Sequence, residues 1–108
     1  MKRGDLVLAA ITGDYGKPRP WVIVQSDLVP HGYPGLTLCP LSTTDHGDRN
    51  FRIPVEPSSD NGLRVPSRVM VDKIQSINRG RARVRIGSLD ADVMRRVDSA
   101  LRVWLGLA

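Results

Sequence analysis

Gly16-Lys17-Pro18-Arg19-Pro20 runs directly into Trp21-Val22-Ile23-Val24-Gln25, and this junction points to the fold class. Each proline fixes its own φ and biases the residue before it towards extended backbone, so Arg19 enters the apolar run with little freedom left to lose. The run itself has no polar alternation, the pattern of a strand covered on both faces. Outward from it, Leu6 to Ile11 reads as a preceding strand closed by Thr12-Gly13-Asp14, and Leu36 to Leu41 as a following one after the turn-rich Val29 to Gly35. Phe51-Arg52-Ile53-Pro54-Val55 alternates, and its internal proline assigns it to a sheet edge or a bulge. Asn61-Gly62 signals a turn, and Val69-Met70-Val71 is another buried run.

The C-terminal residues follow a different period. Val93, Val97, Ala100, Leu101 and Trp104 recur at helical spacing, which puts Trp104 on the core face. Asp90 or Ser88 can cap the start, Asp92 complements the first turn, Leu89 can staple Met94, and Gly106 marks the stop. One amphipathic helix cannot cover a sheet of five or six short strands. The expected architecture is therefore mainly β, a curved antiparallel sheet or open barrel with a C-terminal helix packed on it, as a single domain over residues 1–108.

Composition narrows the function classes. With 108 residues, 41% hydrophobic and 25% charged, the chain has the make-up of an ordinary globular domain, and its net charge of +5 favours an anionic partner such as nucleic acid. No apolar stretch approaches the roughly 20 residues of a membrane span, and the Met1-Lys2-Arg3-Gly4-Asp5 start is not that of a signal peptide, so a cytoplasmic protein is expected. The single Cys39, between Leu38 and Pro40, is read as a buried thiol. His31 and His46 lack metal-pair spacing, and no nucleophile-elbow motif accompanies them, so neither a metal cofactor nor a Ser-His-Asp triad is expected.

The residues that point to chemistry are cationic and hydroxylic. A pre-ordered Arg19 presents a planar fork of donors to phosphate oxygens, with Lys17 beside it. Ser42, Thr43, Thr44, Asp45 and His46 follow a buried strand, where hydroxyls can meet phosphate or simply make turns. Arg79, Arg81, Arg83 and Arg85 occupy every second position, so a strand there would carry four guanidinium groups on one face, either as a phosphate-binding stripe or as a charged edge.

The order of these pieces resembles the MazF/PemK (Kid-like) toxins of bacterial toxin–antitoxin pairs. The resemblance rests on Lys2-Arg3-Gly4-Asp5-Leu6-Val7, the proline loop entering Trp21 to Gln25, Pro40-Leu41-Ser42-Thr43, Val71-Asp72-Lys73-Ile74, and Ile86-Gly87-Ser88-Leu89 before a final helix. It implies an SH3-like barrel of the CcdB/MazF type, a homodimer, and a metal-independent endoribonuclease cutting single-stranded RNA. It also implies silencing by a cognate antitoxin, for which the basic surface suggests an acidic segment. Carried over by position, Arg19 matches the family's catalytic arginine, Ser42 its hydroxyl residue, and Asp72 an acidic position implicated as base in the PemK branch. Lys17, Thr43, His46, Arg81 and Arg83 are the expected RNA contacts. The chain departs from the PemK branch at Met70, where that branch has a second arginine; the nearest arginine is Arg68. Two other readings share the fold. Val103-Trp104-Leu105-Gly106 loosely echoes the ending of CcdB-like gyrase inhibitors, and the arginine stripe alone would suit a non-enzymatic RNA-binding module.

Overall fold

A computed structural model describes residues 1–11, 17–44 and 47–108. Seven strands form among them: β1 (Asp5–Ala9), β2 (Arg19–Ile23), β3 (Gly35–Ser42), β4 (Arg52–Val55), β5 (Ser67–Met70), β6 (Gln75–Asn78) and β7 (Val84–Ser88), followed by the helix α1 (Ala91–Leu105). All the pairings are antiparallel, in the order β4-β5-β3-β2-β1-β7 with β6 also on β3. The long β3 explains this branching. Its N-terminal half pairs with β6, from Gly35↔Asn78 to Leu38↔Gln75, and its C-terminal end pairs with β5 through Leu41↔Val69 and Ser42↔Arg68. Between β5 and β6 a 3₁₀ turn, Val71–Lys73, bends the chain so that both strands share one edge of β3 and the sheet curls.

Alternation along the strands divides the core in two. Leu6, Val22, Cys39, Leu41, Ile53, Val55 and Val69 turn to one face, where Val97, Ala100 and Leu101 of α1 cover them. Val7, Ala9, Trp21, Ile23, Leu36 and Leu38 turn to the other, closed by Ile77 and Ala82. The doubly apolar Trp21 run is thus buried on both sides, as its composition requires, and the Trp21 indole N–H donates to the Ala9 carbonyl at 3.1 Å. β4 ends the strand order, so Pro54 sits on an edge strand as expected.

The helix signals also hold. Asp90 accepts from the Val93 amide at 2.9 Å, and Gly106 adopts left-handed φ of 71° while the Leu107 amide donates to the Arg102 carbonyl at 2.8 Å. Trp104 differs from its expected core position. It is 45% exposed, and its ring meets Phe51 edge-on at a centroid distance of 5.2 Å, so it caps the rim of the core instead of filling it.

The arginine run departs further from expectation. Arg79–Arg81 wind into a 3₁₀ turn, because the Asn78 side chain accepts from the Gly80 amide at 2.9 Å and diverts the backbone from extension. The four guanidinium groups therefore form no continuous stripe: Arg79 donates to the Tyr33 carbonyl, and Arg85, in β7, faces buried Asp5 at 3.3 Å. β6 carries one buried residue, Ile77, among exposed polar ones, which is too little apolar periodicity to mark a strand in advance.

The connection from β4 to β5 is held by Asn61. Its Oδ1 accepts from the Ser58 and Leu63 amides and its Nδ2 donates to the Glu56 carbonyl. The Ser88 amide donates to the Asp60 carbonyl at 2.9 Å, and Gly87 leaves no room for a side chain, since a Cβ there would fall 2.4 Å from that carbonyl oxygen. No helix among the described residues is long and apolar enough to cross a membrane.

Candidate active site

Strand register turns Arg19 and Ser42 to one face of the sheet. Arg19 is the first residue of β2, inside the strand and not in the loop before it, and pairs with Ala9. On the other side β2 pairs with β3 through Ile23↔Leu38, Val22↔Cys39 and Trp21↔Pro40; continuing that register by two residues sets Arg19 opposite Ser42. Directly opposed residues in an antiparallel pair share a face with Cβ atoms about 4.5–5.5 Å apart. Both therefore belong to the face away from α1, at the end where the small apolar cluster gives way to polar side chains.

Ser42 is prepared by its own turn. The Thr44 amide donates to Ser42 Oγ at 3.1 Å, and the two hydroxyls lie 2.7 Å apart. With an amide donating into its lone pairs, the Ser42 oxygen keeps a proton that it can offer to Thr44 or to an incoming phosphoryl oxygen. Ser42 also pairs with Arg68 on its other flank. Met70 lies one step further along that face and is 5% exposed, so the position where the PemK branch carries its second arginine is here part of the packed wall.

The remaining expected residues are placed differently. Asp72 stands in the turn after β5, where Arg52 grips both carboxylate oxygens, Nε to Oδ1 at 2.8 Å and Nη2 to Oδ2 at 2.9 Å. Neither side chain is free in solution, at 12% and 26% exposure. The Arg52 guanidinium also lies against Gly47, where an added Cβ would fall 2.9 Å from it and where the left-handed φ of 87° strains any residue with a side chain. Asp72 is thus tied through Arg52 to the chain beyond β3. Sequence reasoning missed Arg52, and its alternating position two residues before Pro54 was the available signal.

Thr43 leaves the Ser42 row and lines a cleft of about 390 Å³ with Pro20, Leu41, Leu63 and Val65. Lys17 is exposed. Arg81 and Arg83 border a separate cleft of about 650 Å³ floored by Leu8, Ala9, Ile11 and Pro18, one strand over from Arg19. His46 and the Gly16 end of the proline loop lie outside the described residues. Cys39 is buried, and burial pushes its thiol up from 9.0 to about 12 against the opposing pull of Arg3, with Asp72 adding to the rise. At neutral pH it is a protonated packing group.

Known proteins share this fold over nearly the whole chain. A family model described as the PemK-like, MazF-like toxin of type II toxin–antitoxin systems matches residues 2–105. A protein of Mycolicibacterium smegmatis named probable endoribonuclease MazF is 39% identical over 109 residues, covering 100% of this chain and 99% of that one. Among solved structures, the Mycobacterium tuberculosis toxin MazF-mt6 superposes with a TM-score of 0.81 at 27% identity, covering 96% of this chain and 98% of that one. An endoribonuclease in complex with its cognate antitoxin from a mycobacterial species superposes at 0.83 with 21% identity, covering 100% and 97%. The same curled sheet and terminal helix recur in the Deinococcus radiodurans MazE–MazF complex, with a TM-score of 0.80, 22% identity and coverage of 100% and 97%. A family match over nearly every residue, joined to a relative this similar from end to end, establishes that the chain belongs to the PemK/MazF toxin family of type II toxin–antitoxin systems.

Proposed function

We propose that the protein is an endoribonuclease toxin that cuts single-stranded RNA, with Arg19 and Ser42 at the scissile phosphate. The observation that carries this reading is the strand register, which turns a half-buried arginine of β2 and a hydroxyl of β3 to one face and, continued two residues past Trp21↔Pro40, would oppose them, in a chain of this family. A ribose 2′-oxygen attacks the adjacent phosphorus, the P–O5′ bond breaks, and the products are a 2′,3′-cyclic phosphate and a 5′-hydroxyl. The 2′-proton leaves and the departing 5′-oxygen gains one, so the reaction consumes no water at this stage. Negative charge grows on the non-bridging oxygens, where a fixed guanidinium and a hydroxyl donor stabilise the transition state more than the ground state. The nucleophile belongs to the RNA, so DNA is a competitor and not a substrate.

Asp72 enters this reading as a positioning residue. With both oxygens held by Arg52, it steadies the segment after Ser42 instead of accepting the proton. Lys17, Arg81 and Arg83 supply the positive field that draws RNA towards the row, with Thr43 and His46 as further contacts. The same charge suits an acidic antitoxin segment, and the family's assembly as a homodimer and cytoplasmic setting complete the proposal. Two of the superposed structures are complexes of toxin and antitoxin, which supports a partner of that kind.

The test is incubation of purified protein with labelled RNA and the matching DNA in the presence of a chelator. RNA should yield fragments ending in cyclic phosphate and 5′-hydroxyl, and DNA should stay intact. Arg19→Ala should lower kcat by about 10²–10³, the cost of one transition-state donor. RNA left whole by the unmodified protein would overturn the assignment, and binding without cutting would favour the non-enzymatic module.

A further inference from the structure

We propose that Arg68 is a second phosphate-contacting residue of this site, closing on the scissile group from the side opposite Arg19. The inference rests on the ribonuclease reading and extends it. Three strands meet here: Ser42 pairs directly with Arg68 on β5, while the β2–β3 register, continued two residues past Trp21↔Pro40, leads Arg19 towards its other flank. Parity then fixes the faces. Val69 is fully buried in the core beneath α1 and pairs with Leu41 of the same core, so Arg68, its neighbour, turns to the face that Ser42 and Arg19 share.

Adjacent strands lie about 4.8 Å apart, so the two arginines leave the backbone about 10 Å from each other with the Ser42 hydroxyl between them. Side chains of that length can both lean onto one phosphate above Ser42. Each arginine already engages a partner in the free protein, so RNA binding exchanges those interactions for phosphate oxygens. Two cations around one hydroxyl repel each other when the site is empty and are repaid most when charge builds up on the phosphoryl group. Arg68 should therefore act mainly on kcat and less on KM. Met70, buried one step along the same face, supplies no charge, which leaves Arg68 as the cation that β5 contributes to the row.

The experiment compares Arg68→Ala, Arg68→Lys and the exposed helix variant Arg102→Ala in two assays. The first is cleavage of labelled RNA. Arg68→Ala should lose about 10–100-fold in kcat with a small change in KM, Arg68→Lys should recover part of it, and Arg102→Ala should match the parent. The second is binding of an uncleavable strand with a single 2′-deoxyribose at the cut site, titrated with salt. Loss of one phosphate contact should reduce the slope of log K against log salt by about 0.7. Parental kcat together with an unchanged slope in Arg68→Ala would overturn the proposal. So would a kcat loss that merely follows a lowered melting temperature with the slope intact. Should the parent bind RNA without cutting it, the ribonuclease reading fails, yet the salt slope still decides whether Arg68 touches phosphate.

Discussion

The two faces of the sheet are made by the same strands and serve opposite ends. Beneath α1, alternate residues are apolar from Leu6 to Val69 and the helix seals them. Across the sheet, the apolar cluster around Trp21 and Leu38 extends only part of the way, and beyond it the same alternation delivers Arg19, Ser42, Arg68 and Arg52. The period that packs one side thus places charged groups on the other, so a residue's parity along its strand decides whether it stabilises the protein or meets a ligand.

Substitutions on the two sides should separate cleanly. Leu101→Ala under the helix should cost about 2–5 kcal/mol of stability, the range for emptying a buried leucine site. Chemical unfolding would measure it, and cleavage per folded molecule should stay at the parental level. Arg19→Ala should do the reverse, and a variant that lost both properties equally would erase the distinction between the faces. A smaller effect is expected from Arg52→Ala, which strips a partly exposed carboxylate of a bidentate partner. We expect a loss of about 1–2 kcal/mol, discounted from the buried-pair range because solvent reaches Asp72. Its cleavage defect should exceed what its melting temperature explains if the pair steadies the segment after β3, and an unchanged rate in the folded variant would refute that role.

The smallest effect is one of pH. Folded Cys39 holds its proton to about 12, above its ordinary 9.0, so the unfolded chain ionises first as pH rises. The stability linked to that thiol is complete below pH 9 and declines between 9 and 12. Thermal melts of the parent and of Cys39→Ala, which has no thiol to titrate, should therefore converge across that window. A gap that stays constant from pH 8 to pH 11 would show that the thiol is not sheltered by the helix-side core.

Much of the helix-side face was legible in the sequence. Asp90, Val97, Leu101 and Gly106 carry cap, stripe and stop in one short segment, and local periodicity is all that a helix needs to be recognised. Trp104 was misjudged because a helical wheel gives direction but not the edge of the sheet, and α1 overhangs that edge at Phe51. Arg19 and Ser42 could be proposed from motif order, but their shared sheet face could not, since the pairing of β2 with β3 is a long-range register that no local pattern encodes. The same applies to the Arg52–Asp72 pair, whose members lie 20 residues apart. The arginine run failed for a local reason: alternating charge suggested a strand, and the short side chain of Asn78 wound its first residues into a turn instead.

The clasp at Asn61 bears on how copies of this chain can associate. Trading β4 between molecules would require the β4–β5 connection to swing open as a hinge. That would undo three side-chain hydrogen bonds of a buried amide and the Ser88–Asp60 link together. Strand exchange at this margin is therefore disfavoured, and any dimer should form from intact, self-contained protomers docking side by side.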